Sequence, residues 1–316
     1  MKKVFLLILL IFFKITLVEA KEKIFILTII NNEPITNIDV INEAKYLAAL
    51  NPNIQELDKK KILSIAKESL IKEKIKKNEL SKFFTLGEKS DFLDDLIKNF
   101  YKRLKFNNLK EFESYLENFD LSLNLITKKI EIETKWNELV FLKYNNQVEI
   151  DLEKLKKQIA SKNKTVQEKE LYFLYEILFS AESKSKYEEV YKKIIKSINE
   201  IGFKNTANLY SISDSARYGG EVGWVNKQNL NKKIIEKIKN LQIGESSEAI
   251  TIPGGYMILK IQDKKNEKIE KKSAEEELNK LIQIEKNKKL NEFSLIYFNK
   301  VKVGTNIINL WVPNQF

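Results

Sequence analysis

The spacing of apolar positions divides the chain into a helical first half and a second half in which strands and helices alternate. A short apolar run, Ile24 to Ile30, predicts one strand, and the capping box Thr36-Asn37-Ile38-Asp39 predicts the start of a helix. Apolar residues then recur every three or four positions, the spacing of one helix face. The same spacing predicts further helices over Lys59–Leu80, Asp91–Leu104, Leu109–Asn118 and Leu121–Lys143.

The pattern changes at Glu168. The run KELYFLYEILFS is almost continuously apolar and aromatic, which is typical of a buried strand. Two helices follow, the second over Phe203–Tyr210, and a strand EVGWV begins after Gly219-Gly220. Another helix ends near Gly244, and two apolar runs around Gly254-Gly255 indicate a hairpin. The order β-α-α-β-α-β-β predicts a small antiparallel sheet flanked by helices.

The two ends of the chain are predicted to meet. Ser273–Lys300 has the pattern of one long charged helix, and TNIINLWV follows as a terminal strand. A lone strand needs a partner, so the first and last strands are expected to pair with each other. The fold class is therefore α+β, a mostly helical domain completed by the C-terminal helix and strand, with a sheet domain inserted. The expected boundaries are 1–20, 21–168, 169–263 and 264–316.

The first twenty residues predict an export signal. Lys2 and Lys3 precede the apolar stretch Val4–Phe13, and Val18-Glu19-Ala20 fits a small-x-small cleavage site. The apolar stretch is shorter than the roughly 20 residues that span a bilayer. Lys14 interrupts the signal pattern, which leaves an uncleaved anchor as the alternative. We expect a protein of the Gram-negative periplasm without stable membrane insertion.

Two absent residue types exclude much enzyme chemistry. The 316 residues include no cysteine, which removes disulfides, thiolate metal sites and cysteine nucleophiles. They also include no histidine, which removes histidine triads, imidazole metal ligands and imidazole bases. A chain of this length exceeds a typical single core, so two packed units are expected. The composition points to no metal and no organic cofactor.

The net charge of +11 does not predict a nucleic-acid partner. Only Arg103 and Arg217 are arginines, and the lysines are spread along the whole chain. Phosphate and base recognition favour the arginine fork, so a lysine excess without clustering is a weak signal. We interpret the charge as a general compositional bias.

Four segments in the second half resemble the parvulin-type peptidyl-prolyl isomerase domains. They are LYEIL at 174–178, YSISDSARYGGEVGWV at 210–225, LQIGESSEAI at 241–250 and GGYMILKIQD at 254–263. The surrounding layout resembles that of the SurA-like periplasmic chaperones, with a signal peptide, a helical domain, a parvulin domain, and a final helix and strand. The resemblance implies a four-stranded antiparallel sheet over residues 170–263, in a chain with room for one parvulin domain.

The resemblance also implies an apolar cup that holds a proline ring. By motif, the cup falls on Val222, Leu230 and Ile234, with Trp224 beside it. A large aromatic side chain suits a proline or aromatic group. The alternative for Val222, Leu230 and Ile234 is an ordinary place in the core.

The polar floor of the family pocket uses two histidines and an aspartate or cysteine. By motif, Asp214 takes the aspartate position, and Glu176 and Met257 replace the two histidines. Asp214 could instead cap the turn before Gly219, and Met257 could fill a gap in the core. A partly buried Glu176 needs a partner, for which Asp214 and a lysine are both candidates.

The sequence is compatible with two main functions. The chain could be a chaperone for unfolded outer-membrane or other exported proteins, whose parvulin domain has weak or lost activity. It could instead be an active isomerase without histidine, because prolyl isomerisation makes and breaks no covalent bond. A lysine-rich scaffold without client specificity is a third possibility. Proline- and aromatic-containing segments of unfolded chains are the expected partners, and a monomer is the expected state.

Overall fold

The computed structural model describes residues 23–87, 91–162, 168–268 and 273–310. The predicted export signal lies outside these ranges. Within them, no helix combines the length and the apolar character that crossing a membrane requires.

Seven strands and nine α-helices make up the described ranges. The strands are β1 (Ile26–Ile30), β2 (Glu33–Thr36), β3 (Glu168–Phe179), β4 (Glu221–Asn226), β5 (Ile250–Ile252), β6 (Gly255–Lys268) and β7 (Ile307–Asn309). The helices are α1 (Asn37–Leu50), α2 (Lys59–Leu80), α3 (Asp91–Arg103), α4 (Leu109–Glu117), α5 (Leu123–Tyr144), α6 (Leu152–Lys162), α7 (Lys184–Tyr210), α8 (Lys232–Ile238) and α9 (Ala274–Val303). Residues 23–162 and 273–310 form what we call the helical unit, and residues 168–268 form the sheet unit.

The ends of the chain meet in a three-stranded sheet of order β2-β1-β7. The predicted pairing of the first and last strands is confirmed, with Ile29 of β1 opposite Ile308 of β7. The third strand, β2, was not predicted, and it pairs antiparallel with the other edge of β1. The predicted capping box is also confirmed, because the Thr36 hydroxyl and the Asp39 carboxylate satisfy each other's backbone amides.

One apolar core joins the last helix to the first half of the chain. Trp136 of α5 is fully buried and donates from its indole nitrogen to the Ser294 hydroxyl of α9 over 2.9 Å. The indole also stacks on Tyr297, with ring centres 5.4 Å apart. Both partners lie on α9, so the C-terminal helix completes the helical unit, as the fold class predicted.

The sheet unit is a four-stranded antiparallel sheet of order β4-β3-β6-β5, as predicted. Helix α7 covers one face, and α8 lies on the other. The two helices predicted after β3 are confirmed as the two halves of α7, because Gly202 between them has a non-helical backbone, with φ of 79° and ψ of 163°. Glycine adopts this positive φ without the steric cost that a side chain would bring. The hairpin prediction at Gly254-Gly255 is confirmed by β5 and β6.

The two faces of this sheet bury different side chains. On the α8 face the buried cluster comprises Tyr172, Leu174, Ile234, Ile238, Ile250, Met257, Leu259 and Ile261. On the α7 face it comprises Tyr175, Ile177, Phe179, Ile194, Phe203, Ala207 and Ile258. Alternate residues of β3 thus enter alternate cores, as a strand buried on both sides requires.

Candidate functional site

A short 3₁₀ turn, Asp214–Tyr218, lies beside β3 and is fastened to that strand on both sides. Before the turn, the amide of Ile212 donates to the carbonyl of Leu178 over 2.8 Å. After it, the amide of Glu176 donates to the carbonyl of Gly220, also over 2.8 Å. These bonds hold the turn against β3, within reach of the Glu176 side chain.

The Glu176 carboxylate is the centre of a small polar cluster. The hydroxyls of Ser213 and Ser215 both donate to its Oε1 atom, over 2.5 and 2.9 Å. The two hydroxyls lie 2.8 Å apart, and Ser213 also caps the turn by accepting the amide of Ser215. The structure therefore places two serines, rather than a lysine or Asp214, against the carboxylate at the first histidine position.

Burial governs the ionisation of this cluster. Removal from water raises the pKa of Glu176 above its ordinary value, and the negative charge of Asp214 acts in the same direction. The hydrogen bonds from Ser213 and Ser215 oppose the rise without cancelling it. The cluster supplies hydroxyls and a carboxyl group, which can donate to or accept from a substrate carbonyl or amide.

The raised pKa gives a stability prediction for Glu176→Gln. A carboxyl whose folded pKa is raised adds stability at low pH, and loses it as the pH rises through that pKa. The amide keeps an acceptor for both serines and removes the buried charge, so Glu176→Gln should stabilise the protein by about 1 kcal/mol at pH 7. The gain should shrink towards pH 4 when thermal unfolding is measured across this range. A variant less stable than wild type at pH 7 would contradict the assignment.

Asp214 is held by the helical unit. Lys76 of α2 donates to its Oδ1 atom over 2.8 Å and to Oε2 of Glu133, on α5, over 2.6 Å. Arg217, at the far end of the turn, binds the other oxygen of Glu133 over 2.7 Å. Asp214 and Glu176 thus belong to two separate clusters on opposite sides of one turn, and the cap of that turn is Ser213.

The second cluster brings two cations to two carboxyl groups, of which Glu133 has a pKa raised by burial. Burial disfavours every charge in it, yet Asp214 and Glu133 together raise the pKa of Lys76. Against the same burial, Lys76 holds the pKa of Asp214 well below its ordinary range. Asp214 therefore stays ionised at neutral pH and is engaged in an ion pair between the two units.

Three of the five apolar residues assigned to the predicted pocket lie together on the α8 face of the sheet. Ile234 and Met257 are buried in one apolar cluster, and Leu230 packs against it. Met257 is opposite Leu178 on β3, one pleat along from Glu176 on the same face. The second histidine position is thus an apolar wall next to the polar cluster.

Trp224 and Val222 lie elsewhere on the edge strand β4. Trp224 is opposite Phe173 and contacts that ring edge-to-face at 5.3 Å, on the α7 side of the sheet. Val222 lies at a register irregularity and is 42% exposed. The structure does not bring the Trp224 ring together with Ile234 and Met257 in one pocket.

Ser213 and Ser215 were not among the predicted site residues. Their signal in the sequence is the alternation Ser211, Ser213, Ser215 in the segment SISDS, which puts hydroxyls at every second position. Ser211 also serves β3, since its hydroxyl accepts the amide of Leu178 over 3.0 Å. In the described ranges, no group of three or more acidic side chains is arranged to hold a metal ion.

Comparison with known families matches residues 178–263 to Rotamase, the PPIC-type PPIASE domain. The match begins within β3 and ends within β6, so it covers the turn, the edge strand, α8 and the hairpin. Glu176 lies just before it.

Curated relatives match about a third of the chain each. Chaperone SurA of Chromobacterium violaceum is 28% identical over 94 residues, which are 30% of this chain and 21% of that protein. Periplasmic chaperone PpiD of Haemophilus influenzae is 31% identical over 103 residues, which are 32% of this chain and 16% of that protein. The matched segments therefore span less than a third of the length of these relatives.

Solved structures give similar matches. A PpiC-type peptidyl-prolyl cis-trans isomerase domain is 27% identical, with a TM-score of 0.27, and the alignment covers 30% of this chain and 92% of that domain. A structure from work on the SurA-like chaperones PEB4 and Cj1289 of Campylobacter jejuni is 17% identical, with a TM-score of 0.36 and coverage of 91% and 99%. The motifs and the family match agree that residues 178–263 have the sequence of a PpiC-type parvulin domain, and the chain is similar in part to SurA chaperones.

Proposed function

We propose that this protein is a periplasmic chaperone for unfolded outer-membrane or other exported proteins, whose parvulin domain binds prolyl segments with little or no isomerase activity. One observation carries the proposal. The sheet and the apolar wall around Ile234 and Met257 are intact, while Glu176 is already engaged by two serine hydroxyls. The site thus keeps the means to hold a proline ring and lacks both family histidines.

The chemistry of isomerisation explains the difference between binding and turnover. Rotation about the prolyl bond faces a barrier of roughly 18–20 kcal/mol set by amide resonance. An apolar wall holds the proline ring itself equally well in the planar and the twisted amide, and binding that is equal in the two states does not accelerate a reaction. A polar group that contacts the twisted amide better than the planar one adds acceleration, and the Ser213–Glu176 hydrogen bond competes for that group.

The helical unit offers apolar surface for an unfolded client. Phe83, just after α2, is 49% exposed, and Leu142 near the end of α5 is 63% exposed. The ammonium group of Lys143 lies 4.3 Å from the centre of the Phe83 ring, which places the two helix ends side by side. Exposed apolar side chains flanked by a lysine can bind an apolar client segment, whether or not acidic residues lie next to that segment.

The proposal is tested with the mature chain, residues 21–316, in two assays. We expect it to suppress aggregation of an unfolded outer-membrane β-barrel protein. We also expect the cis-trans isomerisation of a prolyl peptide to keep its uncatalysed time scale of about tens to hundreds of seconds in the presence of the chain. Phe83→Ser combined with Leu142→Ser should weaken suppression, whereas exchange of the exposed Lys186 for Ser should not. Failure to suppress aggregation at any ratio of chaperone to client would overturn the proposal.

The alternative is an active isomerase without histidine, in which the Glu176 cluster itself serves as the polar floor. A carboxyl with a raised pKa next to two hydroxyls is a polar floor of a different kind. This alternative is supported if the wild-type chain accelerates isomerisation and either Glu176→Gln or Ser213→Ala abolishes the acceleration. Asp214→Ala should then lower the acceleration by a smaller factor. Trp224→Ala tests the remaining predicted contact in the same assay.

A further inference from the structure

The segment from Ser213 to Arg217 makes contacts with two different parts of the molecule. Ser213 and Ser215 donate to Glu176 within the sheet unit, over 2.5 and 2.9 Å. Asp214, which lies between them, accepts from Lys76 of the helical unit over 2.8 Å. The serines that form the candidate site are therefore interleaved with a residue that binds the other unit.

The helical unit also holds the backbone on the approach to the turn. Lys72, one helical turn before Lys76, donates to the carbonyl of Ser211 over 2.7 Å. On the same approach, the Asn208 amide donates to the carbonyl of Ala216 over 2.6 Å and accepts from Asn51 over the same distance. The turn is thus held by the helical unit directly through Lys72 of α2, and indirectly through Asn51, which follows α1 and binds Asn208 of α7.

Residues of α3 hold the end of the turn through contacts with the Tyr218 ring and with the backbone. The Arg103 guanidinium of α3 lies 4.1 Å from the centre of the Tyr218 ring, and its NH2 atom donates to the carbonyl of Glu221 over 3.2 Å. Phe100 packs on the same ring, with centres 6.1 Å apart. From Ser211 to Glu221, the loop is held on one side by β3 and on the other by the helical unit.

Most of the ionic part of this contact is shielded from water. The Lys76, Arg217 and Glu133 side chains are 8%, 15% and 20% exposed, so water screens their attraction weakly, whereas Asp214 is 44% exposed and its pair with Lys76 is screened more. A small cavity at the contact is lined by Ser213 as well as by Asp214, Lys76 and Glu133. The ion cluster and the serine that binds Glu176 therefore share the wall of one cavity.

We propose that Lys76 and Glu133 of the helical unit are positioning residues for the parvulin site, which set the place of Ser213 and Ser215 against Glu176. The inference rests on the proposed function in so far as this site binds prolyl segments. Docking of the sheet unit on the helical unit then controls the polar floor of the site, and an event that loosens the docking weakens the site without unfolding the sheet.

The test compares full-length variants by two readouts. The first is the dissociation constant for a labelled Ala-Phe-Pro-Phe peptide, and the second is the titration of the Glu176 carboxyl followed by carbon-13 NMR. Ser213→Ala defines the effect of losing one hydroxyl, which is a higher pKa of Glu176 because a hydrogen bond to the charged form is lost. Glu133→Gln and Lys76→Met should move the titration in the same direction and weaken peptide binding by about 5-fold or more.

Matched variants separate positioning from general stability. Lys74→Met removes an ion pair with Glu33 from the same helix without touching the turn, and should leave both readouts at wild-type values. Lys76→Arg keeps the charge and should restore both readouts. Glu133→Gln is the milder of the two disruptive changes, and it remains informative if Lys76→Met fails to fold.

The outcomes distinguish this inference from the proposed function. An unchanged titration of Glu176 in folded Glu133→Gln and Lys76→Met would overturn the inference, whether or not the dissociation constant for the peptide changes. A wild-type chain that binds no prolyl peptide would overturn the binding role of the site, while a shifted Glu176 titration would still support positioning by the helical unit.

Discussion

Replacing Lys129 by methionine is expected to lower the free energy of unfolding by about 3–5 kcal/mol. Lys129 of α5 lies in the helical core, where its ammonium group binds Glu43 of α1 over 2.5 Å and also Glu73 of α2. It also lies 4.7 Å from the centre of the Tyr46 ring. The Glu43 side chain is only 1% exposed, so methionine would leave a buried carboxylate whose remaining hydrogen bond comes from Ser69.

The loss should depend on pH in a direction that identifies its cause. Burial raises the pKa of Glu43 even with Lys129 present, and removal of the ammonium group raises it further. A carboxyl with a raised folded pKa is less destabilising when protonated, so the deficit of the variant should be smaller at pH 5 than at pH 8. Urea unfolding of both proteins at the two pH values measures it.

An exposed lysine provides the control for this experiment. Lys186 of α7 forms an ion pair with Glu189 in which both side chains are well exposed to solvent. Lys186→Met should change the free energy of unfolding by less than about 0.5 kcal/mol at either pH. A Lys129→Met deficit of the same small size, or one that does not change between pH 5 and pH 8, would contradict a buried charge cluster.

The elements that the sequence predicts are those determined by local chemistry. The capping box at Thr36 and the apolar run of β3 need only neighbouring residues, and both are present as predicted. Strand β2 was missed because Glu33–Thr36 has four residues, includes Pro34, and exists through pairing with β1. Short strands that depend on a partner have little signal of their own.

The candidate site was predictable in its position and less so in its contacts. The motifs assign Glu176 and Met257 to one pocket, and strand alternation puts them on one face of the sheet, because Met257 lies opposite Leu178, two residues from Glu176. Ile234 reaches the same face from helix α8. The direction of Asp214 depends on Lys76, a residue 138 positions earlier in the chain. In a tight turn adjacent side chains diverge, so the choice between Ser213 and Asp214 as the neighbour of Glu176 is made by tertiary contacts.

Replacing Gly220 by alanine is expected to destabilise the protein far more than the same change at Gly223. Gly220 immediately precedes β4 and Gly223 lies within it. Both have a positive φ, 82° at Gly220 and 89° at Gly223. That conformation alone costs alanine about 1–2 kcal/mol. A Cβ atom at Gly220 would lie 2.3 Å from the carbonyl oxygen of Glu176, whereas nothing lies within 4 Å of one at Gly223.

The difference between the two variants therefore measures the close approach of the loop to β3. Backbone oxygen cannot rotate away as a side chain does, so Gly220→Ala must displace the loop and its hydrogen bond to the Glu176 amide, at a further cost of about 1–3 kcal/mol. Urea unfolding should give losses of about 3 kcal/mol or more for Gly220→Ala and about 1–2 kcal/mol for Gly223→Ala. Equal losses would mean that backbone conformation alone selects glycine at position 220. With the expected difference, the same displacement should shift the Glu176 carboxyl resonance in Gly220→Ala and leave it unchanged in Gly223→Ala, because the Gly220 carbonyl holds the strand at Glu176.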